Sequence, residues 1–581
     1  MTRAIEEKTT FIDKPSSNEG NETKCDRDAA EPLYDASIEN HRNSLQILST
    51  KSPLESMLTS KYDKYANFVA EKITNQKICF VDNYMELETI RNALRKRGFI
   101  EACNHPWHSI VPFRTLLEKS DTNNEYEKAL LSFLVGKYPP DYMFITPSYA
   151  YDKYDQVRVL SMLKFKKVDG FNFGLKDGLC HIVDRINWNL DRNAPRINYP
   201  RSYDLIDGKE LFEFHKDYRL TIATSIVLYM NDQKDIRKCF SSKHGTIKSR
   251  VIDFAMHGVD TRIKQEEGII SPRTGLDILE IVWGQIYQAY VDLIKNGKKI
   301  KVAKEDIPEY VHRIKCLAYE IYHYWPSRKY DGYFNVWLLK PAWTGQGHGI
   351  ILSDNEEDIL EKVKRQKTKY VVQKYVECPM LVHDTKFDLR QYFLIMIDDT
   401  HLRCFSHWIC SVKFASEKYN LTDFSERIHI TNSCVQQKLR NKGTVDVDLP
   451  ILWSIDQLVE YWGTIGHPNV WQNQIYPVIK NVIVSIVEAS IDSIDLKPGR
   501  FELFGNDWII TNDFKPYLLE VNRCPGLGYY NPVSKIVCGT VMEDLIKVTV
   551  DYYQDKKADT GGFELVYEIP IADRLASQSG S

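Results

Sequence analysis

Residues 501–525, FELFGNDWIITNDFKPYLLEVNRCP, read as one β-hairpin that carries three oxygen donors, Asp507, Glu520 and Asn522. The flanks 507–511 and 517–521 are apolar-rich, Asn512 and Asp513 between them are turn chemistry, and Pro516 suits a strand start. With 512–515 as the loop, Asp507 falls directly across from Glu520. Asn522, two residues on, shares the face of Glu520. Opposed carboxylates repel unless a cation or a proton lies between them. An all-oxygen Asp/Glu/Asn set suits Mg²⁺, which takes few protein ligands and fills its shell with water and nucleotide phosphates. The hairpin therefore predicts a magnesium and nucleotide site. A surface hairpin with solvated carboxylates is the alternative, and other segments have to decide between them.

Bulk properties leave room for such a site. A chain of 581 residues exceeds what one hydrophobic core usually supports, so two or more subdomains are expected. The formal net charge of −3 gives no global basic field for nucleic acid or a membrane surface, and neither partner is expected. Any acidic partner must meet a local basic patch. The 12 cysteines show no CxxC pair and no framework spacing, which points to reduced thiols. Neither a signal-peptide pattern nor an uninterrupted apolar run of bilayer length is visible, so a cytoplasmic protein is expected.

Residues 1–60 are polar and poor in aromatics and read as a disordered tail, with order beginning near residues 62–73. Residues 61–196 read as an N-terminal α/β region, opened by the strand-like KICFVD and a helix over 86–97. Residues 197–555 form the expected catalytic core, and 556–581 a largely disordered tail. Ile278, Leu279, Val282, Trp283, Ile286, Tyr290, Leu293 and Ile294 recur at helical spacing and predict one long packed helix. Ser353 with Glu356 has the pattern of a capping box ahead of a helix containing Ile359, Leu360 and Val363. Apolar runs at 370–376 and 392–397 predict strands. Strands interleaved with helices, followed by a strand-dense C-terminal half, indicate an α/β or α+β enzyme with mixed sheets and flanking helices.

Three segments carry further chemistry. In VWLLKPAWTGQGHGI (336–350) a strand ends at Lys340 and enters a loop with glycines at 345, 347 and 349. Glycines let backbone approach phosphates and Lys340 can supply a point charge, although a flexible surface loop has the same composition. KYVVQKYVECP (369–379) ends an apolar strand in Gln373, Lys374, Tyr375 and Val376, where backbone groups can read an adenine ring. An ordinary buried strand is the alternative. KFDLRQYFLI (386–395) sets Lys386, Asp388 and Arg390 on one strand face, which is costly to bury unless they meet ligands or each other.

The ordered recurrence of KPA with its GxGxGI loop, VVQKYVECP, KFDLRQYF, HITNSCVQQK and FELFGNDW…KPYLLEVN resembles the tubulin tyrosine ligase-like family of ATP-grasp amino-acid ligases. The match covers about residues 165–530. IRNALRKRGFIEACN, FGLKDGLC and YPRSYDL resemble its glycylase branch in particular. The resemblance implies an ATP-grasp-like fold with ATP and Mg²⁺ as cofactors. It implies that Lys340 and the Gly347 loop contact phosphates and that Gln373, Lys374, Tyr375 and Val376 hold adenine. Lys386, Asp388 and Arg390 would line the nucleotide and acceptor site, with Thr431, Asn432 and Lys176 nearby. Asp507, Glu520 and Asn522 would carry magnesium, and Arg390 and Lys340 would neutralise charge during catalysis.

The same resemblance implies an ATP-dependent ligase that joins glycine, as co-substrate, to glutamate γ-carboxylates in acidic tubulin tails. Tubulin or microtubules would be the partner and the cytoskeleton the location, with the cilium or axoneme as an extension of it. A glutamylase using the same ATP chemistry is the alternative enzyme, and a catalytically weak microtubule-binding protein the non-enzymatic one. Departures from the family pattern motivate the latter: Thr344, Gln346 and His348 stand in a loop that commonly reads Arg-Gly-Arg-Gly. Lys413 stands for a usual arginine, keeping charge and losing the guanidinium fork, and Arg523 and Cys524 replace smaller residues. His407 and His429 read as core or surface histidines without ligand spacing, and the thiols Cys378, Cys434 and Cys524 read as buried and inert.

Overall fold

The computed structural model describes residues 53–572, apart from 83–86, 103–109, 123, 137, 146–156, 166–171, 190–196, 270–277, 343, 346, 366–367 and 442–450. The chain divides into two compact units, residues 1–76 with 102–138, and residues 77–101 with 139–581.

In the first unit, helices Pro53–Thr74, Phe113–Lys119 and Asn124–Val135 share a small core of Leu58, Tyr62, Tyr65, Leu116, Leu117, Ala129 and Leu130. Lys61 ties two of them together, donating to the carbonyls of Leu117 and Glu118 at 3.2 and 3.1 Å, the free end of a short helix. The first helix begins at Pro53, inside the stretch expected to be disordered to residue 60. A stripe through Leu58, Tyr62, Tyr65 and Val69 is hidden by the polar composition around it. The remainder of that expected tail lies outside the described residues.

The second unit holds two layers. Four short strands, β1 (Ile78–Val81), β2 (Ile100–Glu101), β3 (Tyr142–Phe144) and β4 (Val159–Leu160), pair in parallel. A small antiparallel sheet contains β5 (Ser202–Asp204), β8 (Trp337–Pro341), β9 (Ile351–Ser353) and β10 (Tyr370–Lys374) in the order β5-β10-β8-β9. Between them in sequence, β6 (Ile247–Lys248) pairs with β7 (Ile300–Lys301). The remaining strands are β11 (Leu381–Val382), β12 (Thr385–Ile397), β13 (His401–Phe414), β14 (Leu452–Ser454), β15 (Arg500–Ile510), β16 (Pro516–Arg523) and β17 (Phe563–Pro570). They build a mixed sheet in the order β14-β13-β12-β15-β4-β3-β1-β2, with β16 on β15, β11 on β12 and β17 on β13. The boundary expected at residue 196 cuts this sheet, because β15 pairs with β4.

Almost every position of β12, β13 and β15 is buried, charged residues such as Asp388 and Asp507 included. Phe393 and Phe504 stack across β12 and β15 with centroids 4.9 Å apart, and helices Tyr476–Ser490 and Pro532–Ile546 pack on β13. The segment Trp471–Ser493 is by length and composition apolar enough to cross a bilayer; half of its window is buried in this core. The helices Gly208–Asn231, Ser249–Glu266 and Ile307–Tyr324 pack around Phe214, Ile252 and Ile314, with Trp337 and Val372 of the small sheet.

Three further expectations change in detail. The long helix from Ile278 is interrupted: Ile278–Ile281 and Trp283–Tyr290 are separate turns of helix followed by a wider turn at Val291–Lys295, and Ile281 is exposed. The helix Glu356–Arg365 is capped by Asn355, whose Oδ1 accepts from Glu357 N–H at 2.8 Å, whereas Ser353 only supports Asn355. The stretch from residue 556 is not a tail as far as residue 572, because β17 pairs with β13 from His401↔Pro570 to His407↔Phe563. Gly562 permits that approach: a Cβ there would lie 2.5 Å from His407, and its N–H donates to Asp544 at 2.8 Å. Residues 573–581 lie outside the described residues.

Candidate active site

The hairpin β15–β16 has Asp507 paired with Glu520 and Gly505 with Asn522. A bulge after Asp507 places Leu519 outside the ladder. The turn is closed by Thr511, whose N–H donates to Lys515 O at 3.0 Å and whose Oγ1 donates to Asp513 at 2.7 Å. Phe514 there takes a positive φ of 59°.

On the neighbouring strand β12, Lys386, Asp388 and Arg390 leave the same face, and Arg390 is the register partner of Asp507. The result is a checkerboard of charge. Arg390 donates to both Asp507 oxygens at 2.8 Å, and Lys413 of β13 donates to Asp507 Oδ1 at 2.6 Å. Lys386 donates to both Asp388 oxygens at 2.9 and 3.0 Å, and Thr431 Oγ1 donates to Asp388 as well. Burial opposes ionisation of Asp507, but the Arg390 and Lys413 charges more than offset it and hold its carboxyl well below the usual range. The same contacts raise Arg390 in spite of its burial.

The small sheet supplies the opposite wall. Lys340 at the end of β8 donates to Gln373 Oε1 at 2.7 Å, and Gln373 in turn donates to Ser202 Oγ at 3.0 Å. Burial pushes the Lys340 ammonium down to about 8, although the Glu520 carboxylate acts in the other direction. Lys176 donates to Thr344 O at 2.8 Å and lies 4.0 Å from Glu520. Gly347 sits at φ +75°, where a Cβ would come within 3.3 Å of Ile430 and Val435, so this loop closes on the segment carrying Thr431 and Asn432. Gln346 lies outside the described residues.

These groups line one cleft: Lys176, Lys340, Gly347, residues 373–376, Lys386, Asp388, Thr431, Asn432, Asp507 and Glu520 all face it. Arg390 and Asn522 line a second hollow of about 1950 Å³ that shares Gly345, Lys413, Asn432 and Glu520 with the first. Lys374 stands apart from the rest. Its ammonium is enclosed, donating to Glu377 at 2.9 Å and to the carbonyls of Asp331, Val336 and Tyr375 at 3.0 to 3.1 Å. Its side chain is thus committed to the protein. The Lys374 N–H is bound to Arg201 O at 2.7 Å and the Tyr375 N–H to Val336 O at 3.0 Å, so neither N–H is open to a base.

The donor set at the hairpin fits a hard divalent cation. Asn522 Nδ2 stands between the two carboxylates, 3.3 Å from Asp507 and 3.0 Å from Glu520, so a partial positive charge already occupies the gap. Turning that amide presents Oδ1 and gives three oxygens.

Several partners escaped the sequence. Glu377, at the end of the KYVVQKYVECP segment, accepts from Lys374, Phe334 N–H and Val336 N–H, partners that the motif does not reveal. His429 makes 2.8 and 2.9 Å contacts to Asp423 O and Tyr375 Oη, and burial lowers it to about 4, so it is a neutral spacer behind the strand end. Lys413 was legible as a charge, but its partner was not: strand register sets it across from Asp388, while its ammonium reaches Asp507 one strand further on. Arg523 is held by Glu502 at 2.5 and 2.6 Å. Cys378 and Cys524 are exposed rather than buried.

The class follows from comparison as well as geometry: the profile of the Tubulin-tyrosine ligase family matches residues 278–558. The chain belongs to that family, and its fold is the family's ATP-grasp-like one. Among its relatives, Tubulin glycylase 3B of Drosophila melanogaster is 30% identical over 90% of this chain and 70% of its own length. Tubulin glycylase 3A of the same organism is 30% identical over 82% of this chain and 50% of its own length. Protein monoglycylase TTLL8 of Mus musculus is 28% identical over 90% of this chain and 67% of its own length.

Proposed function

We propose that this chain is an ATP-dependent tubulin glycylase of the cytoskeleton, ciliary microtubules included. It ligates glycine to glutamate γ-carboxylates in acidic tubulin tails. The observation that carries the choice of glycine is the naming of these relatives as glycylases, at 28–30% identity over 82–90% of this chain.

A carboxylate is a poor electrophile, so an oxygen of the acceptor carboxylate first attacks the γ-phosphorus of ATP. The bond to the β-phosphate oxygen breaks, ADP leaves and an acyl phosphate forms. The glycine amine then attacks the acyl carbon, the C–O bond to phosphate breaks, and the amine gives up a proton as the amide forms. Lys340 and Lys386, from opposite walls, neutralise charge on the transferred group, since phosphoryl transfer depends on positioning and electrostatics. Arg390, fixed by Asp507, aims its remaining guanidinium N–H groups toward the second hollow, which has room for the acceptor glutamate and glycine. Asp507, Glu520 and Asn522 would hold Mg²⁺, which supplies charge neutralisation for the β- and γ-phosphates when bound. Gln373 and the backbone beside it would hold adenine, with Lys176 and the Gly347 loop over the phosphates and Thr431 and Asn432 beside them.

The test is incorporation of labelled glycine, against labelled glutamate, into purified tubulin with ATP and magnesium. Label from glycine alone supports the proposal, and label from glutamate alone replaces it with a glutamylase.

A further inference from the structure

The pair β6–β7 takes no part in the cleft. Ile247 pairs with Ile300 and Lys248 with Lys301 in parallel register. Neighbouring strands lie about 4.8 Å apart, so the two ammonium side chains leave the ladder side by side. Both are exposed, and like charges in register destabilise a strand pair. The backbone nevertheless enforces the arrangement. Ser241 N–H donates to Ile300 O and Thr246 N–H to Lys299 O, both at 2.9 Å. A Cβ on Gly245 would lie 2.5 Å from Lys301 Cα.

Further positive charge gathers at the same place. Lys248 occupies the cap position of the helix Ser249–Glu266, makes no capping hydrogen bond, and is followed by a first turn without an acidic residue. A cation there is opposite to the helix dipole's preference. Lys238, Lys243, Arg250 and Lys299 are exposed in the same segments. Of the acids nearby, Asp235 pairs with Arg237 at 3.1 Å, Asp292 with Lys298 at 3.0 Å and Asp253 with Arg313 at 2.9 Å, while Glu305 and Asp306 follow Lys301 in the chain and are exposed. On a chain of net charge −3 this is a local field. Its cations are mostly lysines with no exposed aromatic side chain in these segments, a surface suited to carboxylates rather than to stacked bases.

We propose that this patch docks an acidic polypeptide. Building on the glycylase proposal, the polypeptide is the glutamate-rich tail region of the protein substrate, which the patch holds while one glutamate reaches the cleft. The patch therefore governs capture of the acceptor and leaves nucleotide chemistry untouched.

The test titrates a fluorescein-labelled oligoglutamate peptide with the full chain and with the Lys248→Glu/Lys301→Glu and Lys248→Gln/Lys301→Gln variants, all with matched melting curves. The charge reversal is expected to weaken peptide binding about tenfold or more, the glutamine pair less, and added salt should erase the difference. ATP binding should be equal in all three. An unchanged peptide Kd overturns the proposal, as does preferential, equally Lys248- and Lys301-dependent binding of single-stranded RNA or phosphatidylserine vesicles. Peptide binding is read without glycine transfer. Loss of it in the variants, with no glycine incorporated by the wild type, therefore keeps the patch and sinks the glycylase proposal. Normal glycine incorporation with an unchanged peptide Kd does the reverse.

Discussion

Arg390 and Asp507 face one another across β12 and β15, joined by two parallel contacts of 2.8 Å, and Lys413 adds a third charge to the same carboxylate. Bidentate guanidinium–carboxylate pairs fix geometry as well as charge. Asp507 therefore positions Arg390, and under the proposed function it would also offer an oxygen to a metal. Two cations on one carboxylate leave a net positive wall for phosphate, while Glu520 receives no comparably close cation.

Replacing Asp507 with Asn leaves two buried cations short of an anion and should cost about 3–5 kcal/mol of stability. Because the folded carboxyl is held below its unfolded value, the wild-type advantage is complete above about pH 4 and shrinks as pH falls. Denaturant melts of both proteins should show a smaller stability gap at pH 3 than at pH 7, with part of the gap still present at pH 3, where the folded carboxyl remains ionised.

Glu520→Gln keeps the shape and hydrogen-bonding capacity of the side chain and removes its charge. Ligation should fall on the order of a hundredfold or more, with an unchanged circular dichroism spectrum and melting temperature. Full glycine incorporation by this variant would remove Glu520 from the metal set.

Lys340 titrates near pH 8 in the unliganded cleft, because burial disfavours its charge. Only the ammonium form attracts phosphate, so ATP affinity should weaken as pH rises through about 8. Lys340→Met should bind ATP more weakly at every pH and lose that inflection, which titration with a fluorescent nucleotide between pH 6.5 and 9.5 reads directly.

Lys374→Met separates structure from ligand contact. Removing the ammonium strands Glu377 in the core and should lower stability by about 3 kcal/mol or more. Since the Lys374 side chain points into the protein, the nucleotide Kd of the folded variant, measured well below its melting temperature, should match the wild type. A tenfold weaker Kd would return this side chain to the nucleotide site.

The hairpin and the pairing of Asp507 with Glu520 were legible because the strand period of two and the Asn512-Asp513 turn leave few ways to pair 507–511 with 517–521, whereas the bulge after Asp507, which shifts the pairing toward the turn by one residue, was not. The face shared by Lys386, Asp388 and Arg390 follows from the same period. Which charges those residues face was not legible, because Arg390 meets Asp507 through a pairing of strands more than a hundred residues apart. Composition misled over the first turns of the helix Pro53–Thr74, before residue 62, where a narrow apolar stripe hides among charges. It misled again at Phe563–Pro570, whose side chains are exposed or half-buried apart from Phe563 and look like those of a solvated segment. The role of Lys374 was lost for another reason: a lysine beside a ligand and one inside a core have the same letter, and burial alone tells them apart.

The pairing of β17 along β13 also bears on how the protein should be handled at the bench. A recombinant boundary drawn at residue 555 would strip a strand from the sheet and leave residues 401–407 as an open edge, paired only on the β12 side. It would also take Gly562 from the pocket formed by His407 and Asp544. Such an edge invites intermolecular strand addition. Shortened versions should therefore precipitate or dimerise, and a purification tag belongs beyond residue 572.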